Sequence, residues 1–209
     1  QDPGGGVARR DGPEEDGASF ADASADYSWG DYEVKPRRVL PVWVNAFGVP
    51  LDLYIHPRTE SCSYVASKVS FPSSPKSVVV RVAASGSARV IWDGESIAWS
   101  EDVNPRATLD RFAVAIEPES GPHMVAVKVC SSPLYDEGRV RVRFTDEQGA
   151  PIEVEASSDL SGLPKDRVTG TPLPDVLAKK TFSPPAPAAA PKGKPSPKAP
   201  APKPSDAPK

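Results

Sequence analysis

The stretch Arg139–Thr145 constrains the fold of this chain more than any other feature, because it alternates charged and apolar residues almost without interruption. It reads Arg-Val-Arg-Val-Arg-Phe-Thr, so Val140, Val142 and Phe144 share one face of an extended strand. A period of two is that of a half-buried β-strand, since successive side chains point to opposite faces of a sheet. The pattern predicts a sheet with one face against a core and the other towards solvent.

Comparable short segments follow one another across residues 37–157, with turn residues between them. The strongest turn signal is Asp93-Gly94, a pair typical of two-residue β-hairpins. No convincing amphipathic helix interrupts the series, so we predict an all-β domain, an antiparallel, jelly-roll-like β-sandwich. The predicted strands are Arg38–Phe47, Leu51–His56, Ser63–Phe71, Ser77–Ala83, Ala88–Trp92, Glu95–Ser100, Arg111–Glu117, Met124–Cys130, Arg139–Thr145 and Ile152–Glu155.

Composition sets the limits of this domain. Residues 1–36 combine low hydrophobicity with an excess of acidic residues, which predicts a disordered acidic arm. Residues 158–209 form a predicted linker or tail, Pro/Ala/Lys-rich from Ser183 onward, that favours extended polyproline-like conformations. Within the arm, the aromatic stretch Tyr27–Tyr32 suggests an edge segment pinned to the following domain, or a short linear motif.

Charge and hydropathy narrow the classes of partner. The formal net charge is −3, which gives the chain no general attraction to nucleic acid or anionic membranes. No apolar run approaches the roughly 20 residues that span a bilayer, so we expect a protein that does not cross a membrane. The arginines of Arg139–Thr145 are interpreted as a solvated strand face, opposite Glu153 and Glu155 of the next strand.

The two cysteines, Cys62 and Cys130, permit one disulfide. Such a bond would close a long loop and contribute about 4 kcal/mol in the chain-entropy description. Two unpaired thiols are the alternative, because two cysteines alone do not settle the compartment. The absence of a CxxC motif argues against a zinc knuckle or a thioredoxin-type redox centre.

Three segments carry strand motifs that occur together elsewhere. They are Ser-Ala-Arg-Val-Ile-Trp-Asp-Gly-Glu-Ser-Ile (87–97), Gly-Pro-His-Met-Val-Ala-Val-Lys-Val (121–129), and Val140–Phe144 with the following Thr-Asp-Glu-Gln-Gly-Ala-Pro-Ile. In this order they resemble galactose-binding-like and PA14-like jelly-roll modules, accessory domains found in large multidomain envelope proteins of myxobacterial type, some with tetratricopeptide repeats. The resemblance covers roughly residues 75–155 and implies an extracytoplasmic module. It transfers no binding residue, because only the strands match.

The sequence contains no pattern of an active site. A hydrolase of the Ser-His-Asp type needs a positioned nucleophile and base, but there is no G-x-S-x-G motif. The two imidazoles, His56 and His123, are interpreted as turn or surface residues. We therefore predict no enzymatic activity, no cofactor and no transition-metal site. A structural calcium ion is an alternative near four carboxylates around the hairpin and the loop after it: Asp93, Glu101, Asp102 and Asp110.

Two tryptophans flank the hairpin turn. A two-residue loop would pair Trp92 with Glu95 and Ala88 with Trp99, which places both rings on the apolar face. We expect Trp99 in the core and Trp92 at the rim, so Trp92 is a candidate ligand contact.

The segment Glu101–Leu109 is predicted to be a long irregular loop, where variable contacts are commonly found. Asn104 and Arg106 are its candidate ligand-binding residues, and a plain crossover between sheets is the alternative. We thus expect a monomeric, extracytoplasmic binding or spacer module whose partner is a glycan or another envelope protein. The alternative function is a carbohydrate-binding jelly roll accessory to a glycan-active enzyme.

Overall fold

The computed structural model describes residues 6–29, 31–56, 58–132 and 135–172. The Pro/Ala/Lys tract from Ser183 lies outside these residues. Within them the chain forms three antiparallel sheets. The strands are β1 (Tyr27–Trp29), β2 (Tyr32–Val34), β3 (Val49–Pro50), β4 (Cys62–Ser70), β5 (Val78–Ala84), β6 (Gly86–Trp92), β7 (Glu95–Asn104), β8 (Phe112–Ile116), β9 (His123–Cys130), β10 (Arg139–Thr145) and β11 (Glu155–Ser157). Short 3-10 turns occupy Gly6–Ala8, Gly12–Glu14, Pro41–Trp43, Leu51–Leu53 and Lys165–Arg167.

Two of the sheets form an antiparallel β-sandwich, as predicted. One has the order β3-β10-β5-β8 and the other β11-β4-β9-β6-β7. From β3 to β11 each strand passes to the opposite sheet, except at the β6–β7 hairpin. A single apolar cluster contains buried side chains of both sheets, so the core lies between them. Among the described residues, no helix is long and apolar enough to cross a membrane.

The alternating strand β10 packs as its pattern predicts, with Val140 and Phe144 buried in the core. Its opposite face differs from the prediction. Arg143 lies directly opposite Arg81 of β5, and both guanidinium groups bind Asp110. The predicted pairing with Glu153 and Glu155 is wrong, because the chain stays beside β10 only as far as Ile152, whose N–H donates to the Phe144 carbonyl oxygen, and Glu155 pairs with β4 instead.

The first two predicted strands, residues 38–47 and 51–56, are largely replaced by 3-10 turns. Only Val49–Pro50 pairs with another strand, β10. Pro41 contributes to this in the first segment, because it lacks the N–H group that a sheet ladder requires. Pro41 instead begins the turn Pro41–Trp43.

The hairpin β6–β7 contains a bulge that reverses the predicted places of the two tryptophans. Trp92 pairs with Glu95 as expected, but the register shifts between Val90 and Ile91, so that Arg89 rather than Ala88 lies near Trp99. A bulge adds one residue to one strand and turns the following side chains to the other face. Trp92 is therefore in the core with 6 % of its surface exposed, whereas half-buried Trp99 shares the outer face with Arg89.

Cys62 and Cys130 lie directly opposite each other on β4 and β9 and form a disulfide. The bond joins positions 68 residues apart in the chain. It links two central strands of the five-stranded sheet, so it restricts much of the unfolded chain.

The described part of the arm differs from the disorder predicted for residues 1–36. Val7 and Glu14 are each 1 % exposed and cover the outer face of the five-stranded sheet. From the other end of the chain, Leu160 and Val168 pack against Ile91 on the same face. Residues beyond the predicted limits of 37–157 therefore pack on the sandwich, as far as Thr171, whose N–H donates to the Gly94 carbonyl oxygen. Tyr27–Trp29 and Tyr32–Val34 pair with each other as a separate hairpin.

The arm is held by charges that no local pattern reveals. Arg89 and Lys128 project from β6 and β9 onto the outer face, where both are fully buried. Glu14 accepts a hydrogen bond from Arg89, and Asp11 lies 3.1 Å from the Lys128 ammonium. The Tyr64 hydroxyl donates to Glu14 at 2.6 Å. The acidic composition that predicted disorder thus supplies the partners of two buried cations.

Candidate functional site

A groove of about 540 Å³ opens at the edge of the four-stranded sheet beside β3. Its volume lies within the range of small-ligand sites. One side comes from the irregular segment before β4, and the other from the loop that leads into β10. The lining residues are Val42, Trp43, Asn45, Pro50, Asp52, Leu53, Tyr135, Glu137 and Arg139.

The first wall is anchored by a tight turn at Asn45–Gly48. Gly48 N–H donates to the Asn45 carbonyl oxygen at 2.9 Å, and the Asn45 side chain accepts from the Phe47 N–H at 2.8 Å. Gly48 has a φ of +101°, and a Cβ atom there would lie 2.2 Å from the Val140 carbonyl oxygen. Only glycine fits this approach to β10. The turn thereby holds the segment with Trp43 against the sandwich.

The second wall is positioned by Arg58. Its guanidinium donates to the carboxylate and to the carbonyl oxygen of Asp136, both at 2.7 Å, and to Asp52 at 2.5 Å. Asp136 is 1 % exposed and also accepts from Ser85 and from the Gly138 N–H. Burial lowers the pKa of Arg58, but the hydrogen bond to Asp52 and the two negative charges outweigh it, so its pKa is raised. A permanently charged Arg58 ties both walls of the groove together.

Aromatic and aliphatic side chains in the groove stay open to solvent. Trp43 is 51 % exposed and Tyr135 is 78 % exposed, and Val42 and Leu53 are exposed as well. Most large apolar side chains of the sandwich are buried, so this local exposure is notable. Flat rings of this kind can stack on a sugar ring or on a proline ring.

Some of the polar groups that line the groove already form hydrogen bonds or ion pairs within the fold. Asp52 binds Arg58 through one oxygen and remains 47 % exposed. Glu137 accepts a hydrogen bond from the Ala107 N–H at 3.0 Å. Arg139 has its Nη1 atom buried without a hydrogen-bond partner among the described residues. The groove therefore combines exposed rings with a partly exposed carboxylate that a ligand can reach.

The three candidate ligand-binding residues, Trp92, Asn104 and Arg106, lie in different environments. Trp92 is wrong as a ligand contact, because its ring is buried and stacks on His123 with 4.8 Å between ring centroids. Asn104 is the last residue of β7 and pairs with Gly86. The exposed Arg106 follows it. The predicted loop 101–109 is thus half strand, since β7 continues to Asn104.

The loop after β7 nevertheless adjoins the groove. The Pro105 carbonyl oxygen accepts a hydrogen bond from the Glu137 N–H at 2.9 Å, and Ala107 donates to the Glu137 carboxylate. Neither Asn104, at the end of β7, nor Arg106, in this loop, lines the groove. The prediction therefore named a neighbouring segment and missed the rings that form the cavity.

His123, at the start of β9, is not the turn or surface residue that the sequence predicts. His123 is 1 % exposed, and its Nδ1 lies 2.6 Å from the Asp93 carboxylate, while Nε2 lies 2.8 Å from the Glu119 carbonyl oxygen. His56 is exposed. Asp93 also accepts from the Met124 N–H at 2.8 Å. These contacts close one end of the sandwich.

The carboxylates considered for calcium do not gather into a cluster. Asp93 binds His123, and Asp110 binds Arg81 and Arg143. Across the part of the chain that the structure describes, no group of three or more acidic, histidine or cysteine residues is placed to hold a metal ion.

The sequence does not predict that Trp43 is exposed, because this residue lies in an apolar run, Leu40–Phe47, that resembles a buried strand. Pro41 was the available signal, since proline within such a run argues against a central strand. Tyr135 has no comparable signal, because its exposure depends on the Arg58–Asp136 contact between distant segments.

The chain matches no known family model, and it matches no curated protein and no solved structure at a significant level. The resemblance to galactose-binding-like and PA14-like modules therefore stays a prediction.

Proposed function

We propose that the chain is a non-catalytic binding or spacer module of a secreted or cell-envelope multidomain protein, and that it binds through the groove beside β3. One observation carries this proposal: four apolar side chains that line one cavity remain exposed, namely Val42, Trp43, Leu53 and Tyr135. A ligand that covers them removes apolar surface from water, which favours binding.

Two further observations support the compartment and the absence of catalysis. The Cys62–Cys130 disulfide fits an oxidising environment outside the cytoplasm. The buried ring of His123 has both nitrogens at hydrogen-bond distance from oxygen atoms of Asp93 and Glu119. A general base must reach its substrate, so these contacts support a structural role for His123.

The groove is tested by titrating the full chain with two ligand classes, soluble cell-wall glycan fragments and proline-rich peptides, while amide NMR signals are followed. We expect shifts at Asn45, Leu53 and Tyr135 with one class. The double variant Trp43→Ala/Tyr135→Ala should abolish them, and Leu109→Ala, a change at another exposed apolar residue, should not. Shifts confined to another surface, or none with either class, would contradict binding through the groove.

A carbohydrate ligand is the second candidate, because exposed Trp43 and Tyr135 lie beside polar groups of Asn45 and Asp52. Sugar rings stack on aromatic faces while their hydroxyl groups bond to such neighbours. In affinity gel electrophoresis with immobilised glycans, a retarded wild-type chain and an unretarded Trp43→Ala variant would support it. Equal mobility in gels with and without glycan would exclude it.

A further inference from the structure

We infer that the ligand of the groove is the chain's own proline-rich tail, residues 183–209, bound as a polyproline II helix within the same molecule. The inference rests on the proposed use of the groove as a binding surface. It names the class of ligand, an extended proline-rich polypeptide with lysines.

The lining of the groove suits this class of ligand. Polyproline II segments have no internal hydrogen bonds and present ring faces and free carbonyl oxygens. They bind where exposed aromatic rings form a shallow groove. Trp43 and Tyr135 supply such rings, and both line the groove and are exposed.

The sequence of the tail supplies matching features. It contains two P-x-x-P stretches, Pro184–Pro187 and Pro197–Pro200. Because proline fixes φ, the segment already favours the bound conformation and loses little entropy on binding. Its lysines are Lys192, Lys194, Lys198, Lys203 and Lys209.

Opposite charges also favour binding of the tail to the groove. Asp52 and Glu137 line the groove, and the Asp52 side chain remains 47 % exposed after binding Arg58. A lysine that flanks the proline stretch can approach this carboxylate. Attraction between exposed charges is modest and sensitive to salt, so it adds to ring contacts rather than replacing them.

The tail is long enough to reach the groove. The described chain ends beside the β6–β7 hairpin, where the Thr171 N–H donates to the Gly94 carbonyl oxygen at 2.9 Å. The groove lies at the other end of the sandwich, and a strand as long as His123–Cys130 spans about 26 Å at roughly 3.3 Å per residue. The ten residues 173–182, if extended, span about 33 Å. The first P-x-x-P stretch is therefore within reach.

The test compares the full chain with a full-length variant whose residues 183–209 are replaced by a Gly/Ser sequence of equal length. The readout is the indole N–H NMR signal of Trp43, assigned through Trp43→Phe. We expect different signal positions in the two proteins. Adding a synthetic peptide of residues 183–209 to the Gly/Ser variant should move the signal to the wild-type position.

Substitutions in the groove and in the peptide separate the contributions of the aromatic rings, the prolines and the lysines to binding. In the Gly/Ser background, with peptide binding measured by isothermal titration calorimetry, Trp43→Ala/Tyr135→Ala should weaken it at least tenfold, and Leu109→Ala should leave it unchanged. A peptide with all prolines replaced by alanine should bind at least tenfold more weakly. A peptide with all lysines replaced by glutamine should bind a fewfold more weakly at low salt and show less salt dependence.

Three results would overturn the inference. Identical Trp43 signals in both full-length proteins, with no response to the peptide, would exclude the tail. A wild-type signal that moves on tenfold dilution would assign the contact to a second copy. If the Trp43 signal responds to glycan fragments but not to the peptide, the proposed binding function stands and the tail is not the ligand. If it responds to neither, both the proposed function and the inference are wrong.

Discussion

Glu14 and Arg89 form an ion pair in which each side chain is at most 1 % exposed, although 75 residues separate them in the chain. The pair joins the acidic arm to the outer face of the five-stranded sheet. The Arg89 Nη2 atom donates to Glu14, whereas Nε and Nη1 have no hydrogen-bond partner among the described residues, so the Glu14 carboxylate is the main compensation of the buried charge. Together with Lys128, this makes the arm an integral part of the fold.

Replacement of this carboxylate should therefore be costly. We expect Glu14→Gln to lower the free energy of unfolding by about 3 kcal/mol, since it leaves a buried cation uncompensated. Glu15→Gln is the matched control, because Glu15 is exposed and should change stability by less than about 0.5 kcal/mol. Urea unfolding of both variants measures the difference. Equal midpoints would show that the arm does not hold the sheet.

Replacing Trp92 should lower stability more than replacing Trp99. A hairpin without the bulge predicts the reverse order. Trp92→Ala should cost roughly 3–5 kcal/mol, because it leaves a cavity beside Phe71, His123 and Phe144. Trp99→Ala should cost about 1 kcal/mol, since Trp99 is only half-buried on the outer face. Chemical denaturation measures the free energy of unfolding of both variants. A larger loss for Trp99→Ala than for Trp92→Ala would show that the bulge lies elsewhere.

Alkaline pH should destabilise the contact between arm and sheet. Burial, then the charge and hydrogen bond of Glu14, raise the pKa of Tyr64 above its usual value of 10.0. A pKa raised on folding contributes stability that is present below pH 10 and falls as pH rises further. Burial lowers the pKa of Lys128 despite Asp11 and Glu14, so its contribution increases with pH below 10.5.

Most of the decline above pH 10 thus belongs to Tyr64, at up to about 1.4 kcal/mol per pH unit, and a smaller part belongs to Tyr27, whose pKa burial also raises. Unfolding in urea at pH 9, 10 and 11 should show this decline in the wild type and in Tyr135→Phe, whose ring is exposed. Tyr64→Phe should flatten it. An unchanged slope in Tyr64→Phe would assign the alkaline loss to another group.

Two glycines with the same backbone angle provide a test of the turn beside the groove. Gly48 and Gly121 both have a φ of +101°, but a Cβ at Gly48 would lie 2.2 Å from the Val140 carbonyl oxygen, and none of the described atoms lies within 4 Å at Gly121. Gly121→Ala should cost about 1 kcal/mol from backbone strain alone. Gly48→Ala should cost clearly more and shift the NMR signal of Trp43. Equal costs would mean that the turn can move away from β10.

Loss of the disulfide should destabilise the whole sandwich. The double variant Cys62→Ala/Cys130→Ala should lose about 4 kcal/mol, the chain-entropy value for a bond between positions 68 residues apart. Guanidinium unfolding, compared with the wild type under oxidising conditions, measures the loss. A loss below about 1 kcal/mol would show that the unfolded chain is already restricted without the bond.

Much of the sandwich was predictable because strands depend on local patterns. The period of two at β10, the Asp93-Gly94 turn and the apolar runs of β5 and β9 gave those strands nearly their observed limits. Side-chain alternation is a property of neighbouring residues, so it can be read without knowing the partner strand. The existence of two cysteines was also visible, but their pairing required β4 and β9 to be neighbours.

The candidate groove was not predictable, since its walls come from segments that meet only in the folded chain. Trp43 and Tyr135 are exposed because Gly48 fits against Val140 and because Arg58 holds Asp136. Neither contact has a signature in the local sequence. The loop with Arg106 adjoins the groove, because the Pro105 carbonyl oxygen accepts a hydrogen bond from the Glu137 N–H, but Arg106 does not line the groove.

By itself the sequence determined the class of fold, the central strands and the position of the sharp hairpin, because each depends on hydrophobic periodicity and turn chemistry within a few residues. Tertiary structure decided which tryptophan is buried, whether the acidic arm is ordered and where the exposed rings gather. One extra residue in β7 turned Trp99 away from the core, and two buried cations gave the arm's acids their partners. Such outcomes depend on register and on charges brought together from distant parts of the chain, which no local pattern contains.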